Sequence, residues 1–319
     1  LESQFELELY TYKELYNIVL RLSYIFKEQY GITSKDTIAL NCMNKPLFLF
    51  VWLALWNIGA LPAFLNFNSK GEPLVHCMKI LNVSQVFIDP DCTEAIRETE
   101  PLIRKDLPNV KLNYMNEQEL LRVLSDPKSP KYRAPDHTRR PEDVAASCCL
   151  LIYTLGTTGL PKAGIMLWRK AFMASSLFGY IMKVNKHLNV LTAMPMYHLT
   201  AAMLGVCPVL LSGGAITVAQ KFSATSFWTQ AKMSGLTHVQ YVGEVCRYLL
   251  NSKPHPDQQN HNVRIAYGNV LRRDIWQDFK RRFCIDGIGE FYALTESSIA
   301  TTNLQYGEYG VGACRKYGL

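Results

Sequence analysis

Short apolar runs alternate with helix-like segments along nearly the whole chain, and this alternation restricts the fold more than any other feature. Residues 36–40, 85–89, 111–114, 150–153, 190–193, 215–218, 237–242, 263–267 and 285–291 read as strands, rich in Val, Ile, Leu, Phe and Tyr. Helical patterns at 73–81, 94–107, 168–182, 201–211, 227–234, 244–250 and 274–283 fall between them. Strands joined through helices run parallel, because a crossover must return the chain to the same end of the sheet. The expectation is an α/β fold with mostly parallel sheets flanked by helices, and no internal repeat is evident.

Local signals sharpen several elements. Thr11 with Glu14 three residues later forms a capping box, and Leu15, Ile18, Val19, Leu22, Ile25 and Phe26 repeat at helical spacing until Gly31. Residues 46–65 are the most apolar stretch. Asn57, Gly59 and Pro62 interrupt it, which favours a buried helix ending near 57–59 and a short strand at 60–65. A membrane-inserted helix, the alternative, usually needs about 20 uninterrupted apolar residues. Pro101 marks a break or a fresh start within the 94–107 helix. Four prolines among mixed charges at 125–143 read as a linker or surface loop. The expected division is an N-terminal α/β subdomain at 1–124, the linker, and a ligand-binding α/β subdomain at 144–319.

Composition narrows the function classes. The 319 residues carry a net charge of +7, which favours an anionic substrate or an anionic membrane surface. No basic run interleaved with aromatics marks a nucleic-acid groove, so nucleic-acid binding is not expected. Nine cysteines, none in a Cys-x-x-Cys pair, fit buried apolar positions in a reducing compartment rather than a zinc site. The chain opens on Leu1 and stops at Leu319 just after Gly318, and both ends read as cuts or as a truncated product.

Chemistry concentrates where strands end. Residues 150–162 read Leu-Leu-Ile-Tyr-Thr-Leu-Gly-Thr-Thr-Gly-Leu-Pro-Lys. Gly156 and Gly159 let the backbone turn its N–H groups toward a ligand. Thr154, Thr157 and Thr158 supply hydroxyls, and Lys162 a positive charge. This is a phosphate cradle by chemistry, though not a Walker loop, since Lys162 lies three residues past Gly159. Gly-Thr-Thr-Gly alone reads equally well as a surface turn between a strand and a helix. After later strands come His198, the Gly268-Asn269 pair, and Tyr292 through Thr295 to Glu296. Ligands of open α/β sheets lie beyond the carboxyl ends of parallel strands, so four polar clusters at such ends point to one function more strongly than any one of them. By itself Glu296 reads as a first-turn helix acid, and His198 as a structural histidine.

The 150–162 stretch resembles the phosphate loop of the adenylate-forming (AMP-binding) synthetases, usually Tyr-Thr-Ser-Gly-Thr-Thr-Gly-x-Pro-Lys. Leu155 stands where that loop has serine. Tyr292-Ala293-Leu294-Thr295-Glu296 resembles the Tyr-Gly-x-Thr-Glu motif, and residues 266–272 the adenine-side segment, with Val270 where a glycine is frequent. The run from Gln240 to Leu250, with 44–66, 85–90 and 276–279, is similar to the fatty-acid transport proteins that are also very-long-chain acyl-CoA synthetases, the fungal members most closely. The resemblance covers essentially the whole chain.

It implies the large N-terminal body of an adenylate-forming enzyme, without the C-terminal lid, that activates long or very-long-chain fatty acids to acyl-CoA through acyl-AMP, coupled to uptake. ATP, Mg2+ and CoA are then required. Lys162, Thr295 and Glu296 act at the reacting phosphates, Glu296 as the magnesium ligand. Tyr153, Thr154, Gly156, Thr157, Thr158, Gly159, Gly268, Asn269 and Tyr292 bind the nucleotide, while His198 and Gly243 line the acyl site. An intracellular, membrane-associated location is implied as well. The alternative is a catalytically impaired lipid-binding or transport-linked protein, which Leu155 and the absent lid favour.

Overall fold

The structure, a computed structural model, describes residues 7–135, 143–154, 160–192, 194–293 and 300–303. The chain divides into two compact units, residues 8–171 and the chain from Phe172 on.

The first unit begins with α1 (Tyr12–Glu28), whose capping box is formed by Thr11 and Glu14. Then follow β1 (Thr37–Asn41), α2 (Pro46–Ile58), β2 (Leu61–Phe64), α3 (Gly71–Ile80), β3 (Gln85–Ile88), α4 (Thr93–Asp106), β4 (Lys111–Tyr114), α5 (Glu117–Ser125), β5 (Cys148–Thr154) and β6 (Lys162–Leu167). The strand order is β4-β3-β1-β2-β5-β6. Every neighbouring pair is parallel except β5 and β6. Both faces of this sheet are covered. Ala39, Val86 and Ile88 pack with α3 and α4 residues such as Met78 and Ile96. On the other face Phe87 meets Phe26 of α1, and Phe64 meets Phe48 and Trp52 of α2. Two covered faces explain why these strands read as continuous apolar runs.

α2 is the buried helix expected from the sequence, closed by Gly59 at φ 90°. Among the described residues no helix is long and apolar enough to cross a membrane. Pro101 neither breaks nor restarts α4, which runs through it. Its ring sits on the exposed side, where water can satisfy the carbonyl left without a partner. Because β5 and β6 complete this sheet, the strand that leads into the 155–159 loop belongs to the first unit, and the proline-rich 125–143 segment lies within it.

One helix, α6 (Trp168–Ile181), carries the chain onward. The second unit holds β7 (Asn189–Thr192), α7 (Leu199–Ala201), a π-helical turn at Ala202–Val206, α8 (Cys207–Ser212), β8 (Ala215–Val218), α9 (Phe227–Met233), β9 (His238–Val242), α10 (Gly243–Asn251), β10 (Ile265–Asn269), α11 (Arg273–Phe283), β11 (Gly287–Ala293) and β12 (Ala300–Asn303). Its strand order is β12-β11-β10-β9-β7-β8, again parallel except for the pair β11 and β12. Val239, Ala266 and Ile288 pack against Trp228, Trp276 and Phe283 on one face. Val190, Tyr267 and Phe291 pack against Phe178 and Met182 on the other. β8 is a half-exposed edge strand rather than the buried one its apolar sequence suggests.

Candidate functional site

The phosphate-loop sequence connects two strands, not a strand and a helix. β5 leads in, β6 leads out antiparallel, and Thr154 lies opposite Lys162 as the last rung of the ladder. The expected cradle residues Gly156, Thr157, Thr158 and Gly159 lie outside the described residues. Lys162 is exposed at the start of β6. Tyr153, expected at the nucleotide, donates its hydroxyl to the Cys77 carbonyl of α3 at 2.6 Å. Burial, then the neighbouring Cys77, push that phenol up, so it stays a neutral donor. The adjacent residue of α3, His76, donates from Nε2 to the Pro161 carbonyl at 3.1 Å. Consecutive residues of one helix therefore hold both arms of the hairpin. Nothing in the local sequence of α3 points to that role, because the partner carbonyls come from far along the chain.

The second unit places Tyr292 near the end of β11, 60% exposed. Thr295 and Glu296 follow it, outside the described residues. β12 then returns antiparallel, with Tyr292 opposite Thr301. The described strands on either side of both motifs thus pair as antiparallel edge hairpins whose first strand is part of a parallel sheet.

Next to β11, Gly268 and Asn269 end β10. Tyr241, Gly268 and Glu290 form one row across β9, β10 and β11. A Cβ on Gly268 would overlap the Tyr241 carbonyl oxygen and fall 2.7 Å from the Tyr241 ring. The missing side chain lets that ring lean across β10, and its hydroxyl donates to Glu290 Oε1 at 2.5 Å. Glu290 Oε1 also accepts from the Leu271 N–H at 3.2 Å. Asn269 Oδ1 and Glu290 Oε2 are buried without a hydrogen-bond partner, a costly state for acceptors shielded from water. Gly243, the first residue of α10, is buried against the Val270 carbonyl, where any side chain would collide. Val270 itself takes a left-handed φ of 64° with its side chain exposed.

His198 precedes α7 and is exposed, its ring 4.4 Å from that of Tyr197. Desolvation by the surrounding protein pushes its pKa down, so it is neutral at pH 7. Gln240, marked in the sequence only as the start of the 240–250 run, anchors this segment. Its Nε2 donates to the Thr200 carbonyl at 2.7 Å, and its Oε1 accepts from Thr192 at 3.0 Å.

The sequence matches the AMP-binding enzyme family over residues 3–316. The chain belongs to the AMP-binding enzyme family. Among relatives, it is 53% identical to the very long-chain fatty acid transport protein of Saccharomyces cerevisiae, over 99% of this chain and 48% of that protein. The chain spans about half the length of the curated relatives it matches. Its fold is similar to a benzoate CoA ligase from Burkholderia xenovorans, with a TM-score of 0.78 at 15% identity over 92% of this chain and 58% of the other. ATP-bound MatB from Rhodopseudomonas palustris gives 0.76 at 18% identity, over 92% and 56%. These likenesses establish the large N-terminal fold of adenylate-forming enzymes for this AMP-binding family member. In it, Thr154 and Lys162 pair in the β5–β6 hairpin, Tyr292 lies in the β11–β12 hairpin, and Gly268 and Asn269 end β10.

Proposed function

We propose that this AMP-binding protein binds Mg-ATP and a long or very-long-chain fatty acid, and takes part in activating the acid to acyl-CoA through acyl-AMP. The observation that carries the reading is that each sheet ends in an edge hairpin whose incoming strand leads into a motif. Thr154 and Lys162 flank one tip, Tyr292 leads into the other, and both incoming strands end where parallel sheets hold ligands. Asn269 Oδ1, buried and unpartnered, suits a ligand that brings an N–H donor, such as the exocyclic amine of adenine.

In the first step a carboxylate oxygen of the acid attacks the α-phosphorus, the bridging α–β P–O bond breaks, and pyrophosphate departs. In the second, the thiolate of CoA attacks the acyl carbonyl and AMP leaves. Lys162, Thr154 and the loop residues Gly156, Thr157, Thr158 and Gly159 neutralise and orient the phosphates, an electrostatic contribution made by preorganised donors. Magnesium would be held by Glu296 with Thr295 beside it, a donor set that suits an ion preferring one or two carboxylates plus phosphate oxygens, and it would offset phosphate charge. Tyr292 stacks on the base, and His198, neutral and accessible, lines the acyl site with Gly243. Gly243 also has a packing role against Val270. Association with a membrane surface and an intracellular location belong to the same proposal, supported by the relatives named as fatty acid transport proteins.

Calorimetry with Mg-ATP tests the reading. We expect binding that weakens at least tenfold in Lys162→Ala or Glu296→Ala, and pyrophosphate exchange that depends on added fatty acid. Absence of any nucleotide heat on folded protein would remove the synthetase assignment. A second reading, a lipid-binding or transport-linked protein without catalysis, is favoured by Leu155 in place of the loop serine. It predicts fatty-acid binding indifferent to ATP.

A further inference from the structure

We infer that Glu290 is a positioning residue which, together with Tyr241, holds the turn after β10 in the shape that presents Asn269 to its ligand. The inference deepens the nucleotide-binding reading above and rests on it for the identity of the ligand.

Three observations converge. Glu290 is 2% exposed, on the sheet face that packs against α9, α10 and α11. Its Oε1 is shared by donors from two other elements, the Tyr241 hydroxyl of β9 and the Leu271 N–H just past β10. The turn it grips contains the left-handed Val270, whose carbonyl is pressed against Gly243. A non-glycine β-branched residue is costly in that conformation and persists only where its surroundings over-determine it. Glu290 provides that constraint from β11, and Gly243 provides it from the β9–α10 corner. Gly268 makes the arrangement possible, since only a residue without a side chain lets the Tyr241 ring reach across β10.

The tie is sensitive to proton uptake. Glu290 Oε2 has no partner. Burial pushes the carboxyl up to about 7, against the opposing effect of the Tyr241 and backbone hydrogen bonds. The other titratable groups that face it are Tyr241 from β9 and Cys246 from α10. Both are pushed up by burial and are therefore neutral at pH 7, and the β10 turn presents only backbone N–H groups. Both donors bond the ionised carboxylate more strongly than the neutral acid, so proton uptake loosens the grip on the turn, and ligand affinity falls as the pH drops through neutrality.

The test measures amide hydrogen exchange at Leu271 and Mg-ATP affinity, both on the 319-residue chain between pH 6 and 8.5. Glu290→Ala should speed Leu271 exchange and weaken Mg-ATP binding, each roughly tenfold. Glu290→Gln, which keeps an acceptor for both donors, should rescue both and remove the pH dependence. Tyr241→Phe, which retains the ring and its packing, should reproduce part of the alanine effect if Glu290→Ala fails to fold. Lys162→Ala should weaken Mg-ATP binding without altering Leu271 exchange. If wild type binds no Mg-ATP, the nucleotide reading fails while the exchange data still decide the role of Glu290. Leu271 exchange unchanged in both Glu290→Ala and Tyr241→Phe would overturn the inference, as would a wild-type pH profile that Glu290→Gln leaves intact.

Discussion

The two sheets share one plan and differ in how their polar residues are satisfied. Each is parallel except for a terminal hairpin, and each hairpin tip carries a motif. At the strand ends of the first sheet the charges are closed on one another. Lys45, just past β1, pairs with Asp89, Asp91 and Glu117, each at 2.9 Å, and Asp89 Oδ2 accepts from the Met43 N–H and the Cys42 thiol. Burial alone would lower the Lys45 ammonium, but the three carboxylates outweigh it and hold it above its usual value. In the second sheet no such charge cluster closes the corresponding ends: Asn269 Oδ1 and Glu290 Oε2 lack partners, and glycines replace side chains where turns converge; His238 Nε2 is unpartnered at the start of β9, and in the first sheet Asn41 Oδ1 is unpartnered at the end of β1. Closed charge clusters stabilise a scaffold. Unsatisfied buried acceptors mark where binding energy remains to be gained.

Breaking the closed cluster should have the largest effect. Lys45→Ala strands Asp89, whose side chain is 0% exposed, and removal of one partner of a buried pair costs about 3–5 kcal/mol. Chemical denaturation of the first unit should register that loss. A cost below about 1 kcal/mol would mean that the cluster is wet and that the contrast between the sheets is overstated.

The second sheet contains two groups whose proton linkages oppose each other. Burial pushes Glu290 up from 4.5 to about 7, so the folded chain keeps a proton that the unfolded chain releases, and stability falls as pH rises through that window. Burial pushes His238 down from 6.5 to about 4, so the unfolded chain gains a proton first, and stability falls as pH drops from 6.5. The windows overlap between pH 4.5 and 6.5, where the two slopes cancel. Glu290→Gln should unmask a rise in stability with pH of up to about 3 kcal/mol across the overlap, and His238→Gln a fall of similar size. Unfolding curves at a series of pH values decide this. Parallel profiles for all three proteins would show that neither group is as enclosed as its 2% or 4% exposure implies.

The smallest effect sharpens the comparison at the first hairpin. His76→Ala and Tyr153→Phe each remove one hydrogen bond from an arm of the loop, worth about 1 kcal/mol. If α3 preorganises the tip, their effect on Mg-ATP affinity should exceed their effect on stability. Equal losses would reduce the clamp to ordinary packing.

Much of the scaffold was legible in the sequence, and the reasons are local. The capping box at Thr11, the glycine stop of α2 and the apolar strand runs act over a few residues, so the chain text carries them. β6 carries no strand signal in its sequence because its alternation is inverted: Ile165 is 60% exposed while Gly164 is buried, so no polar–apolar rhythm announces it. β12 reads Ala-Thr-Thr-Asn and has too little apolar character to be seen. α5, held by its Asn116 cap, gives only a short helical signal beside the proline-rich segment that follows it. At the candidate site the motif residues could be named from the chain, but their supports could not. The Tyr241–Gly268–Glu290 row depends on register between three strands, and the His76 bond spans 85 residues. Such relations appear only when distant segments are laid side by side.

The rung joining Thr154 to Lys162 separates two kinds of inheritance. Changes between those residues leave the ladder beneath untouched, because the ladder is already sealed at that rung. One residue inserted within β6 would instead turn each outward group inward and carry the lysine to the opposite side of the sheet. The irregular pairing between Cys148 and Leu150, at the far end of the ladder, is where such a slip would be absorbed. Variation in reactivity should therefore accumulate at the tip while the stem keeps its length.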